Sequence, residues 1–211
     1  MIIKTLPSGP FQTNAYILGC PNTKEAAIVD PGVDSADSII QFLESHTLTP
    51  VKIILTHSHW DHIGDVAALK KKYGIPVSIH ELDASNLQNP GSDGLPMISP
   101  IEGCVPDAFF DEDDKIAIGE LSFVVIHTPG HTPGGVCFYC EAEGVLLSGD
   151  TLFKQSIGNL SFPTAQPDKM WDSLKKLENL PPATRVYPGH GSDTTIAEES
   201  WLPDARRIFQ G

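Results

Sequence analysis

The stretch Val51-Lys52-Ile53-Ile54-Leu55-Thr56-His57-Ser58-His59-Trp60-Asp61-His62 decides how this chain reads. Its apolar first half predicts a strand suited to burial on both faces. That strand runs directly into a polar segment holding three of the chain's eight histidines. Imidazole nitrogens and carboxylate oxygens are ligands for a borderline divalent ion, and the i, i+2 spacing of His57 and His59 lets neighbouring side chains converge from an extended turn. One loop histidine alone would ordinarily be a polar surface residue. Three further segments share the same design, each just past an expected strand and beside glycine: Thr128-Pro129-Gly130-His131, Ser148-Gly149-Asp150-Thr151 and Pro188-Gly189-His190-Gly191. Strand-end loops on one edge of a sandwich can meet at a point, and glycine permits close backbone approach. The pattern predicts a metal site.

Outward from this stretch, short β-type runs at 2–6, 14–18 and 26–29 precede it, the last stopped by Asp30-Pro31-Gly32. A helix is expected with Ser35 as its cap and Ile39, Ile40, Phe42 and Leu43 along one stripe. Beyond the histidines, 65–73 reads as a helix closed by Lys70, Lys71, Lys72 and Gly74, followed by a strand at 77–80 and a short helix near 81–87. Residues 88–110 are rich in proline and glycine and are expected to form a long flap-like loop over the site. The second half has the same grammar. Strands are expected at 115–118, 121–126, 136–139 and 145–147, then a helix opening at Pro167 with Met170, Leu174 and Leu177 facing inward. A strand at 185–187 and a helix over 196–208 complete it. Two β-rich halves flanked by helices predict a single α+β domain over 1–211, a four-layer α/β/β/α sandwich.

Composition narrows the function classes. The chain has 211 residues, with 27 acidic against 14 basic side chains and a formal charge of −13. Such a surface repels phosphate backbones, so nucleic acid is not an expected partner. No apolar run approaches the roughly 18 residues of a membrane helix, and Met1-Ile2-Ile3-Lys4-Thr5-Leu6-Pro7 offers no apolar signal core, so a cytoplasmic protein is expected. Four cysteines are too few and too scattered for a disulfide framework. Cys137-Phe138-Tyr139-Cys140 matches a CxxC pattern, but on a strand the two sulfurs point to opposite faces, which favours a core role over redox or metal chemistry.

The segments Thr56-His57-Ser58-His59-Trp60-Asp61-His62, His127-Thr128-Pro129-Gly130-His131-Thr132-Pro133-Gly134, Ser148-Gly149-Asp150-Thr151-Leu152-Phe153 and Tyr187-Pro188-Gly189-His190-Gly191 together resemble the metallo-β-lactamase superfold, and within it the glyoxalase II-like (hydroxyacylglutathione hydrolase-like) branch. Thr13-Asn14-Ala15-Tyr16 and Asp30-Pro31-Gly32 also look like that branch. The resemblance spans nearly the whole chain. It implies that His57, His59 and His131 hold one divalent ion and that Asp61, His62 and His190 hold a second, with Asp150 bridging the two. Zinc is the first expectation for both ions, iron or manganese the alternatives. His80 and His127 match no metal position of the family and are expected to be structural.

The implied chemistry is attack by a metal-activated hydroxide on a carbonyl, with Asp61 both ligating and orienting the hydroxide. A small-molecule thioester or ester, such as S-lactoylglutathione, is the expected substrate, since thiolate is the easiest of the common leaving groups to expel. Two departures stand against glutathione itself. Only about twenty residues follow His190, so the C-terminal helical region of the longer glyoxalase II enzymes is expected to be missing. Asn159 stands where that family often places a cation. Lys154 and Asn159 are therefore the candidate substrate-binding residues. The alternatives are a persulfide dioxygenase-like enzyme with one iron, and a lactone or lactam hydrolase. No protein partner is readable from the chain.

Overall fold

The computed structural model describes residues 1–209. Twelve strands form two six-stranded sheets. In the first, β1 (Ile2–Ser8), β2 (Thr13–Gly19), β3 (Glu25–Val29), β4 (Thr49–Ile54), β5 (Val77–Ile79) and β6 (Ala108–Phe109) lie side by side in chain order. The β1–β2–β3 steps are antiparallel hairpins, whereas β3 to β6 run parallel. Parallel neighbours need crossovers. Helix α1 (Ala36–Ser45) carries the first crossover, helices α2 (Trp60–Ile63) and α3 (Val66–Tyr73) the second, and α4 (Ala84–Gln88) with a long loop the third.

The second sheet has β7 (Lys115–Ile118), β8 (Leu121–His127), β9 (Val136–Cys140), β10 (Val145–Gly149), β11 (Arg185–Pro188) and β12 (Thr194–Thr195), again in sequential order. It is antiparallel except where β10 and β11 run parallel through α5 (Pro167–Glu178). The last helix, α6, spans Ala205–Phe209.

Three buried clusters define the layers. Ile39, Leu43, Val66 and Leu69 of the helices pack on Ile17, Ile28, Ile53 and Val77 of the first sheet. Leu18, Val29 and Ile54 face Ile118, Phe123, Val125 and Phe138 between the sheets. Met170, Leu174 and Leu177 of α5 cover Cys137, Leu146 and Val186 on the far face. The result is α/β/β/α. Alternation along each strand produces it: Ile53 points to the helix side and Ile54 to the other sheet, so β4 is buried on both faces. Cys137 and Cys140 likewise part company, one toward α5 and one between the sheets, and all four cysteines are free.

Several local expectations are corrected. Ser35 precedes α1, but its hydroxyl donates to Gly32 O, and the Asp65 carboxylate accepts the Ala36 N–H at 2.7 Å in its place. A four-residue helix, α2, begins inside the histidine segment that reads as plain loop. The helix expected near 81–87 is a 3-10 turn (Glu81–Asp83) followed by α4. The helix expected over 196–208 is instead two 3-10 turns, Ile196–Glu198 and Leu202–Asp204, followed by α6. Pro203 is tolerated because it sits at the start of a turn, where its missing N–H costs nothing. No helix among the described residues is long and apolar enough to cross a membrane.

Candidate metal centre

Strands β8, β10 and β11 point the same way, since β9 is antiparallel to both β8 and β10 and β10 is parallel to β11. Their C-terminal ends deliver His131, Asp150 and His190. The end of β4 in the other sheet delivers His57 and His59 in extended backbone, and α2 then turns Asp61 and His62 back toward them. The sheets are tied at this end by Asn14 N–H to Gly189 O (2.8 Å), Asn14 Nδ2 to Pro188 O and Gly191 O, and the Tyr16 hydroxyl to Pro188 O.

The seven side chains meet. His57, His59 and His131 each bring a ligand atom within 4.8 Å of the others, and so do Asp61, His62 and His190. Asp150 lies between the two groups, with Oδ2 at 3.3 Å from His131 Nε2 and 3.5 Å from His190 Nε2, and Oδ1 at 3.4 Å from His62 Nε2. Asp61 Oδ2 accepts the Thr13 hydroxyl at 2.7 Å and sits 3.3 Å from His190 Nε2. Outer nitrogens are held from behind: His131 Nδ1 by Asn159 O, His190 Nδ1 by Phe11 O, His62 Nδ1 by Asp30 Oδ2 and His57 Nδ1 by the Thr56 hydroxyl. Inner atoms are a different matter. His57 Nε2, His59 Nε2, His131 Nε2 and Asp150 Oδ1 are buried without any hydrogen-bond partner. Buried polar atoms are almost always satisfied, and an inward-facing set of lone pairs with fixed outer nitrogens is the donor pattern of an ion site.

The backbone leaves that space open. A Cβ on Gly189 would lie 2.1 Å from Asp150 Oδ1, and one on Gly158 would lie 2.0 Å from Asp150 O. Only glycine allows these loops to close on Asp150.

Without metal, burial and crowding set the charge states. Burial, with repulsion from the other histidines, pushes His57 well below the ordinary imidazole range and His59 to about 3. Burial opposes ionisation of Asp61 and Asp150, but the neighbouring His62 outweighs it. Asp61 is held well below the usual carboxylate range and Asp150 at about 2. His62 and His190 are raised in turn, since Asp61 and Asp150 overcome their burial. Without metal the two carboxylates are thus charged, His57 and His59 are neutral, and His62 and His190 are biased toward the proton-carrying form, so that a divalent cation would bind by displacing those protons.

The family model described as "Metallo-beta-lactamase superfamily" matches residues 8–190. The chain belongs to this superfamily. It is 34% identical to a probable metallo-hydrolase, YqgX, of Bacillus subtilis, over 93% of both chains. It is 33% identical to the hydroxyacylglutathione hydrolase GloC of Haemophilus influenzae, over 94% of this chain and 95% of that one. Among solved structures it resembles BLEG-1 B3 metallo-beta-lactamase (42% identity, 94% and 96% coverage, TM-score 0.87). It also resembles TTHA1623 crystallised in a di-iron-bound form (36% identity, 95% and 97% coverage, TM-score 0.81).

Within this superfamily member, the other residues singled out from sequence fall as follows. Asn159 is exposed, its side chain accepts the Ser161 N–H, and it is its backbone carbonyl that reaches His131. Lys154 is exposed and makes no hydrogen bond or ion pair among the described residues. Residues 88–110 divide in two. Ser92 and Asp93 border a cleft of about 70 Å³ with His59, Ser58, Ser85 and Asn86, while Val105 and Asp107 are held by Lys70 and the loop ends as β6. His80 and His127 stack at 4.2 Å beside Asp111. Three potential ligands meet there too, but His80 Nδ1 accepts the Leu82 N–H, leaving the proton on Nε2, so the nitrogen facing Asp111 is a donor and has no lone pair for an ion. Sequence reasoning missed Thr13 and Asp30 as parts of the site, although both lie in segments that resemble the family. It also missed Asp83, whose two oxygens accept Ser58 N–H and Gly134 N–H and so strap the His57–His59 turn to the His131 loop. A lone acidic residue in a short helical stretch carries no signal of that role.

Proposed function

We propose that the chain is a dinuclear metallohydrolase that cleaves a small-molecule thioester. His57, His59 and His131 would hold one divalent ion and Asp61, His62 and His190 the other, with Asp150 within reach of both groups. The four buried, unpartnered inner atoms carry this reading. Zinc is the first candidate and iron the second, the latter supported by the relative crystallised with two irons. Bound in such a site, divalent ions bring the pKa of water toward 7 and polarise a carbonyl oxygen.

The chain's own part is positional. Asp61, anchored by the Thr13 hydroxyl, orients the attacking water. The water oxygen bonds to the thioester carbonyl carbon, the C–S bond breaks with its electron pair leaving on sulfur, and the proton passes to the thiolate, yielding acid and thiol. The fixed outer nitrogens keep four imidazoles from turning during this exchange. Likeness to a hydroxyacylglutathione hydrolase supports the thioester class. A cytoplasmic setting fits the four free, buried cysteines.

Metal quantitation with a panel of thioesters, a lactone, a lactam and a persulfide tests the proposal. Two metals per chain and thioester turnover are expected, with Asp61→Asn lowering kcat by about a thousandfold in a folded protein. Undiminished turnover after metal stripping would refute it. Because a B3 metallo-beta-lactamase is 42% identical, lactam opening is the second reading, and preferential lactam turnover would establish that one instead.

A further inference from the structure

Three phenylalanines stand against the candidate centre. Phe162 lies 5.4 Å from the His59 ring and 5.6 Å from the His131 ring, over one end of the ligand set. At the other end Phe153 stands perpendicular to His190 at 5.9 Å. Phe11 completes the circuit, with its carbonyl on His190 Nδ1 and its ring 5.4 Å from buried Trp60. Phe153 and Phe162 are half-buried, and Phe11 is 55% exposed. Three phenyl rings left partly in water beside the ligand set form an apolar surface that a ligand can cover.

Charge argues in the same direction. No lysine or arginine lines either cleft that includes His59 or His131. The position that could carry a cation is Asn159, and its side chain is spent on Ser161. An anionic thiol tail would therefore meet a chain of charge −13 whose exposed Lys154, next to Phe153, lines neither of those clefts.

We infer that Phe11, Phe153 and Phe162 form a collar that selects thioesters with an uncharged, aryl or alkyl thiol portion over the anionic glutathione conjugate. This rests on the hydrolase reading above and specifies its substrate. The acyl–sulfur bond is placed at the ligand set while the thiol's apolar group covers the rings. The collar residues are specificity determinants and take no part in proton transfer.

The decisive comparison holds the acyl group and the thiol's basicity constant. The S-benzyl thioester of lactate and S-lactoylglutathione are assayed with the zinc-loaded enzyme. Their thioether analogues, with the carbonyl replaced by methylene, are titrated by calorimetry on loaded and metal-free protein. The benzyl ester is expected to show kcat/KM about tenfold higher, and its thioether correspondingly tighter binding. Phe162→Ala and Phe153→Ala should each erase about threefold of that tenfold advantage through KM. Phe162→Leu, which keeps an apolar side chain, should recover part of it. S-lactoylglutathione turned over better than the benzyl ester, and losing that edge in Lys154→Ala, would overturn the inference. If neither thioester is hydrolysed, the thioester reading fails, and the titrations still judge the collar. Benzyl thioether binding weakened in Phe162→Ala supports it; equal binding overturns it.

Discussion

Asp30 shows how much of this site lies one bond behind the converging atoms. Its carboxylate accepts the Thr56 N–H and hydroxyl and also holds His62 Nδ1 at 3.1 Å, all fully buried. Asp30→Asn keeps the size but gives up one acceptor oxygen, so His62 loses its fixed tautomer and orientation. Metal affinity should fall about 10–100-fold with the fold intact, read by competition with a chromogenic zinc chelator. Unchanged affinity would show that Thr56 and packing suffice to hold the ring. The histidine-rich segment announced itself because His-x-His-x-Asp-His has few other uses. Asp30 did not, since Asp-Pro-Gly is also an ordinary turn.

At the scale of elements, the periodic segments were legible and the capping was not. The apolar stripe of α1 is visible in sequence, and Ile39 and Leu43 are buried as that stripe requires. Its N-terminus is satisfied from Asp65, twenty-nine residues away, and no local pattern predicts such a partner. Asp65→Ala should cost about 1 kcal/mol, the usual worth of an N-terminal cap, seen as a lower urea midpoint with metal content unchanged. An unaltered midpoint would mean that Ser35 and solvent replace it. α2 was illegible for a related reason: four residues are too short for a 3.6-residue period to declare itself, and its existence depends on the turn that brings Asp61 and His62 beside the other ligands. The C-terminal stretch misled in the opposite sense. Its apolar spacing suggests one helix, yet the buried residues Ile196, Leu202 and Ala205 reach the α5 cluster from three short turns.

Across the whole molecule, each sheet contributes its own part of the candidate centre. His57, His59, Asp61 and His62 come from the first sheet's end, and His131, Asp150 and His190 from the second's. Ions bound there would cross-link the two halves as well as activate water. At free metal about a thousand times the dissociation constant, such binding adds about 4 kcal/mol. For a chain of this size that corresponds to a rise of about 10 °C in Tm. Calorimetry with and without a strong chelator should show that difference, while far-UV circular dichroism at 25 °C stays the same because three apolar clusters hold the layers without help from the site. An identical Tm in chelator would argue that no ion is bound in the folded chain.

The sequence by itself determined the layered α+β class and, through its histidine motifs and their family resemblance, singled out the seven candidate residues, because strand periodicity and ligand chemistry are local properties written in short segments. Tertiary structure alone decided that those seven side chains share one space, that Asp30, Thr13 and Asp83 brace them, and that Phe153 and Phe162 lie against their imidazole rings. Each of these depends on distances between segments that lie tens to more than a hundred residues apart. Such distances are set by how two sheets pack and which strand ends they align, and no local pattern encodes them.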